Sequence, residues 1–257
     1  MENPPKFTHN VRLVIEYDGS AFVGFQSQPG LKTVQSELSR VLTTYFKKPI
    51  GSIHTSGRTD AGVHAKRQVI SFYTDEVPDL FRMHHAVSSM MKGELSVVRA
   101  DMVPMSYHPR KSAHKKQYTY RILNRPAPPT FQKGAVLHFV RKLDVEIMQR
   151  EIAKIIGKHD FTSFCAGDCC SPTKVREILE ADITQQGEEI FIRIVGNGFL
   201  KQMVRIIVGT LLEIGIGHRT EGIEELLSKK DRRLAGKTAP AYGLYLDWVE
   251  SKEGERL

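Results

Sequence analysis

Long apolar runs are missing from this 257-residue chain. No stretch approaches the roughly 18 apolar residues of a membrane span, so a helix crossing a bilayer is not expected. The opening Met1-Glu2-Asn3-Pro4-Pro5-Lys6 is polar, without the apolar core of a signal peptide, so export is not expected either. Cysteine is scarce: Cys165, Cys169 and Cys170 are the only three. A cytoplasmic protein would keep them reduced. Their C-x-x-x-C-C spacing does not match C-x-x-C zinc pairs and no second pair exists, so they read as incidental thiols. The ten histidines are scattered, with neither H-x-x-x-H nor H-E-x-x-H, and no metal or cofactor is expected.

Acidic residues are outnumbered. Lys plus Arg is 37 and Asp plus Glu is 29, a net charge of +8. The isoelectric point is near 9.3. Such an excess favours a polyanionic partner, because phosphate contacts supply sequence-independent affinity, or it merely aids solubility. The basic residues are not confined to a tail. They interleave with aromatics from His108 to Arg121, a pattern suited to phosphate neutralisation plus base stacking. Otherwise 40% hydrophobic and 26% charged residues describe an ordinary globular chain, long enough for one large domain or two modest ones.

Apolar Val11, Leu13 and Ile15 alternate as in a strand, and turn residues come next at Asp18-Gly19-Ser20. Thr33 is placed to cap a helix with Val34, Leu38, Val41, Leu42 and Tyr45 at helical spacing. A strand through Val69–Tyr73, a helix opened by Pro78 and a strand from Leu95 to Asp101 complete the first half. The second half has similar grammar. A strand runs from Tyr118 to Leu123, and Asp144 caps a helix that Gly157 stops. Beyond it lie strands at 175–184 and 189–195, a long helix from Phe199 to Gly215, a short one at Ile223–Ser228 and a final strand from Tyr242. Strand–helix alternation in each half predicts an α+β chain of two halves, residues 1–105 and 106–257, with their mainly antiparallel sheets joined.

The segment Gly57-Arg58-Thr59-Asp60-Ala61-Gly62-Val63-His64-Ala65 is almost free of bulky apolar residues and lies between two strands. Loops held by strands are where chemistry is usually placed. Asp60 has the residue type for a nucleophile at an anomeric carbon. A glycosidase normally needs a second carboxylate as proton donor, and this loop offers none. A lone acid suits a reaction that breaks a glycosidic bond without protonating a leaving oxygen or recruiting water. A turn aspartate bonded to its own backbone is the plainer alternative. Arg58 is a candidate to hold a phosphate or fill the space left by an extruded base, or it is a surface arginine. His64 is a loop-fixing or RNA-contacting residue. Tyr118 and Tyr120 share one strand face, and either is a stacking or a core aromatic. Arg205 is the one charge in an apolar helix, either paired or snorkelling.

The string G-R-T-D-A-G-V-H-A resembles the signature of the TruA family of tRNA pseudouridine synthases. Other segments resemble that family in order. These are Tyr17-Asp18-Gly19, Phe22-Val23-Gly24-Phe25-Gln26, Thr33-Val34-Gln35, Val103-Pro104, Lys111-Ser112-Ala113 through Tyr120, Gln202-Met203-Val204-Arg205 and Thr238 through Leu244. The resemblance spans Val11 to Val249. It implies two ferredoxin-like halves around a basic cleft, a cytoplasmic homodimer, tRNA as partner, and uridines on the 3′ side of the anticodon stem-loop as targets. It implies that Asp60 is catalytic, with Arg205 keeping it ionised and Arg58 supporting base extrusion. Tyr118 would stack on the uracil, with Lys116 and His64 as further RNA contacts. Lys116 stands where arginine is frequent, which keeps the charge and loses a bidentate contact. Phe25, Ser88-Ser89 and Tyr107 also depart from the usual pattern. A non-catalytic tRNA-binding protein and an RNA N-glycosidase are the alternatives.

Overall fold

The computed structural model describes residues 7–257; the polar opening Met1–Lys6 lies outside them. The chain divides into two compact units. One holds the residues up to His114 together with Leu246–Leu257, and the other holds Lys115–Tyr245. The chain passes between units at 114/115, not at 105/106, and its closing residues belong with the first unit. The physical reason for the later crossing is local. Pro109 sits in the first turn of a short helix capped by His108, so the stretch expected as a boundary is ordered structure of the first unit.

The first unit runs β1 (His9–Tyr17), α1 (Val34–Phe46), β2 (His54–Thr55), β3 (His64–Thr74), α2 (Leu80–Met90), β4 (Leu95–Val103) and α3 (Pro109–Ser112). Its strands lie in the order β4-β1-β3-β2, every pair antiparallel. In register, Leu13 faces Ile70 on one side and Ala100 on the other. Helix α1 starts where expected: the Thr33 hydroxyl accepts the Ser36 N–H, and Ser36 reciprocates to the Thr33 N–H. Its buried stripe is Val34, Leu38, Val41, Leu42 and Phe46. The stripe takes Phe46 in place of the expected Tyr45, because position 46 continues the i, i+4 row from Leu42, and Tyr45 turns its hydroxyl to the Asp79 carbonyl. Helix α2 buries Met83 and Val87 and leaves Phe81 exposed.

The second unit runs β5 (Ala113–Asn124, its first two residues still in the first unit), β6 (Leu137–Phe139), α4 (Val145–Ile152), β7 (Gly157–Asp160), β8 (Val175–Gln186), β9 (Glu189–Gly196), α5 (Met203–Gly215) and α6 (Ile223–Lys229). The last strand, β10 (Leu244–Ser251), leads back into the first unit. Strands β5-β9-β8-β7 form an antiparallel set, and β6 adds to β5 in parallel. The mixed α+β class with mainly antiparallel sheet is thus observed. Two helices are shorter than their apolar patterns. Helix α4 gives way to a 3-10 turn at Ala153–Ile155 before Gly157, and α5 starts at Met203 because Gln202 adopts a left-handed φ of 60°. Among the described residues no helix is long and apolar enough to cross a membrane.

Helix α5 is buried along nearly its whole length. A Cβ on Gly209 would lie 1.7 Å from the Lys237 carbonyl oxygen, a backbone atom that cannot swing aside. Gly209→Ala is therefore expected to lose about 3 kcal/mol or more. Urea unfolding measures it, and a change below about 0.5 kcal/mol, the scale of a surface substitution, would contradict this packing.

Candidate active site

The Asp60 loop joins β2 to β3 in the first unit and rests on buried polar side chains. The Tyr17 hydroxyl, at the end of β1, lies 2.8 Å from the Thr59 hydroxyl. Gln68 of β3 accepts a hydrogen bond from Ser56 (2.6 Å) and donates one to the Gly57 carbonyl (2.8 Å). Ser56 and Gln68 are fully buried, so each group needs its partner to offset the loss of water. Burial pushes the Tyr17 hydroxyl up to about 12, the bonds with Thr59 and Gln68 opposing it. Beyond this brace the loop makes a tight turn. The Asp60 carbonyl accepts the Val63 N–H (3.2 Å), and Gly62 takes φ +80° at the third turn position, where a Cβ is disfavoured.

Two further glycines let another backbone segment close on this loop. A Cβ on Gly19 would fall 2.2 Å from the Val63 carbonyl oxygen. Gly24, at φ +81°, would place one 3.1 Å from the Thr59 oxygen and 3.2 Å from the Ala61 nitrogen. The Phe25 N–H donates to the Thr59 carbonyl (3.1 Å). The carbonyls of Gly24 and Phe25 accept the first N–H groups of α1, from Val34 (3.1 Å) and Gln35 (2.9 Å). Those donors have no partner within the helix, so the N-terminus of α1 anchors the segment that grips the loop.

His64 opens β3 and is 6% exposed. Its Nδ1 accepts the Gly19 N–H (3.1 Å) and lies 3.2 Å from the Asp18 carboxylate. Burial raises the Asp18 carboxyl, but bonds from Ser20 and the nearby imidazole outweigh it and hold it below its ordinary value. His64 thereby ties Gly19 to the loop. Asp60 is half-exposed and Arg58 is exposed. The structure gathers Arg58, Asp60 and His64 on one braced loop, with the acid partly buried.

The other candidates belong to the second unit. Lys116 and Tyr118 lie on β5, facing Gly196 and Ile194 of β9. Tyr118 is buried and meets the Phe199 ring edge-on, centroids 5.0 Å apart. Tyr120 is wholly buried; its hydroxyl donates to the Pro240 carbonyl (2.8 Å), and burial pushes its pKa far above the ordinary tyrosine value. A Cβ on Gly243 would lie 2.7 Å from the Tyr120 ring. Both tyrosines are thus buried, Tyr120 the more deeply. Arg205, in the first turn of α5, donates from Nε to the Ala239 carbonyl (2.8 Å), and its own carbonyl accepts the Ala239 N–H (3.0 Å). Arg205 and Tyr120 therefore hold opposite ends of the Ala239-Pro240 step.

The brace of Tyr17, Thr59, Ser56 and Gln68 is not foreseen from sequence. Its one visible signal is an amide, Gln68, just ahead of the apolar run Val69–Phe72. Tyr17, Gly19 and Gly24 fall within matching motifs, but the motifs alone assign them no role.

A family model described as tRNA pseudouridine synthase matches residues 152–250. A tRNA pseudouridine synthase A of Anoxybacillus flavithermus is 44% identical over 238 residues, 92% of this chain and 96% of that protein. Its counterparts in Halalkalibacterium halodurans and Bacillus subtilis are 43% and 42% identical, over 91% and 92% of this chain and 89% and 96% of theirs. The class is that of the pseudouridine synthases, isomerases that convert uridine to pseudouridine. Within it, the chain belongs to the tRNA pseudouridine synthase A family.

The brace has a pH signature. The Tyr17 hydroxyl stays neutral in the folded protein up to about 12, whereas an unfolded tyrosine ionises near 10. Its contribution is intact below about pH 10 and is lost as pH rises toward 12, by about 2–3 kcal/mol. Tyr17→Phe should flatten that part of the stability curve relative to wild type. Denaturant titrations of both proteins between these pH values measure it; parallel curves would contradict a buried, neutral Tyr17.

Proposed function

We propose that the chain isomerises uridines on the 3′ side of the anticodon stem-loop of tRNA, with Asp60 as the catalytic carboxylate. The observation that carries the assignment of Asp60 is the brace: a half-exposed acid on a loop whose backbone is fixed by buried side chains. Fixing a reacting group before substrate arrives lowers the entropic cost of reaching the transition state. The near-full-length identity to tRNA pseudouridine synthases supports tRNA as the substrate, and the net charge of +8 suits it.

In this reaction Asp60 either attacks C1′ of the uridine or removes the C2′ proton. The N1–C1′ bond breaks, the uracil turns, and C5 bonds to C1′ as the Asp60–C1′ bond breaks or, on the second route, as the proton held by Asp60 returns to C2′. C5 then loses its proton and N1 gains one, so atoms and electrons balance without water or a cofactor. Arg58, exposed beside the acid, supports extrusion of the base from its stack. Tyr118 stacks on the uracil, and Lys116 and His64 contribute to binding, His64 through the loop it holds. Arg205 positions the Asp60 carboxylate, a pairing that rests on family resemblance. The finer architecture, two ferredoxin-like halves around a basic cleft acting as a cytoplasmic homodimer, is part of the same proposal. The β4-β1-β3-β2 order of the first unit supports its ferredoxin-like half.

Asp60→Asn should retain tRNA affinity within about threefold and lose pseudouridine formation by at least about a hundredfold. Mapping pseudouridine in tRNA incubated with each protein reads both rate and target position. Near-wild-type activity in the variant, or modification confined to sites outside the anticodon stem-loop, would overturn the proposal. Release of free uracil would instead identify an N-glycosidase.

A further inference from the structure

The three cysteines, incidental by spacing alone, occupy a built environment in the second unit. Cys165 comes directly after a 3-10 turn and is 3% exposed, Cys169 is half-buried and Cys170 is exposed. A tight turn closed by the Cys169 N–H on the Ala166 carbonyl (3.0 Å) folds the chain back, bringing the Cys165 and Cys169 thiols into interaction with each other. The backbone N–H groups of Lys201 and Ser171 lie near the Cys169 sulfur, and beside it the Lys174 ammonium donates to the Cys169 carbonyl (2.7 Å). Arg176 lies close by, fixed to the Ser171 hydroxyl (2.7 Å). The one acid at the turn, Asp168, is paired with Lys201. The Ala166 N–H bonds the Lys201 carbonyl (3.1 Å), which locks the turn to the segment entering α5.

From this geometry we propose that Cys169 and Cys165 form a redox-active dithiol, with Cys169 the thiol that attacks a hydroperoxide and Cys165 the one that resolves it. Two backbone donors and an ammonium around one sulfur are the surroundings that favour a thiolate. Partial burial pushes the Cys169 thiol up, but the donors outweigh it and hold it at about 7. Burial pushes Cys165 up to about 12, so it stays a thiol until its neighbour is oxidised. The Cys169 thiolate displaces hydroxide from the peroxide and becomes a sulfenic acid. The Cys165 sulfur then attacks that sulfur, its proton leaves with the sulfenic oxygen as water, and a disulfide forms. The pair gives up two electrons and the peroxide takes up two. None of these residues is in the proposed isomerisation machinery.

The test uses the full-length reduced protein and hydrogen peroxide, with peptide mapping of the products. The expected product is a Cys165–Cys169 disulfide, reversed by dithiothreitol, whereas C165S should accumulate Cys169 sulfenic acid that dimedone traps. At pH 7 iodoacetamide should alkylate Cys169 roughly threefold faster than Cys170, since a larger thiolate fraction is partly offset by lower nucleophilicity. Lys174→Met should move the Cys169 alkylation profile to higher pH. Pseudouridine formation by C169S should stay within about twofold of wild type, inside the scatter of a surface change. Disulfides joining Cys170 instead, Cys169 reacting no faster than Cys170, or peroxide leaving all three thiols intact would each overturn the proposal. Failure of the tRNA assay would leave this chemistry unaffected, because its readout is the thiols.

Discussion

The hydrogen bond between the buried Tyr17 and Thr59 hydroxyls is the contact on which the candidate site depends. Thr59 precedes the acid directly, so its position sets where Asp60 stands. Thr59 is held twice, by its side chain to β1 and by its carbonyl to the Phe25 N–H. Ser56 and Gln68 fix the start of the same loop. All these groups are satisfied in this arrangement, and unmaking one leaves a polar atom stranded in the interior. The loop is therefore specified by the penalty for misplacing it as much as by the bonds it makes.

Glycine is what allows the brace to be so compact. Gly19 brings a second backbone against the loop at a distance that excludes a Cβ, and Gly24 does so at a tight approach with a left-handed φ that disfavours one. The donors that hold that backbone are the first N–H groups of α1. Thr33, Gly24 and Thr59 thus form one chain of contacts, from helix cap through strap to the Asp60 loop. An equivalent economy exists in the second unit, where Arg205, Tyr120 and Gly243 fix the stretch from Ala239 to Gly243 around α5 and β5. In both units, glycines within the family motifs, Gly19, Gly24 and Gly243, allow the close packing.

Much of this was legible in the sequence, and the parts that were not have physical causes. The strands and helices with clear periodicity, such as β1, α1 and β9, lie where the pattern places them. Strands β6 and β7, of three and four residues, are too short to show a period. Helix α5 reads as four residues longer because Phe199 and Leu200 extend its apolar pattern, and only the left-handed turn at Gln202 separates them from the helix. Asp60 and its neighbours could be picked out as a candidate because a lone acid sits on a loop held between strands and the string around it resembles a family signature. Their support could not, because Tyr17, Thr59 and Gln68 are distant in sequence and each is unremarkable alone. The cysteines likewise carry no zinc-like spacing, and the donors around Cys169 come from Ser171, Lys174 and Lys201, which only the fold assembles.

The central claim is that catalysis by Asp60 depends on the Tyr17–Thr59 bond. Single-turnover pseudouridine formation by Tyr17→Phe, Thr59→Val and the double variant tests it most directly. The account predicts that each single change slows the chemical step by about tenfold, the rate equivalent of one lost hydrogen bond. It also predicts that the double variant is no slower than either, and that tRNA affinity is unchanged. Rates at the wild-type level, or two independent losses that multiply in the double variant, would contradict it.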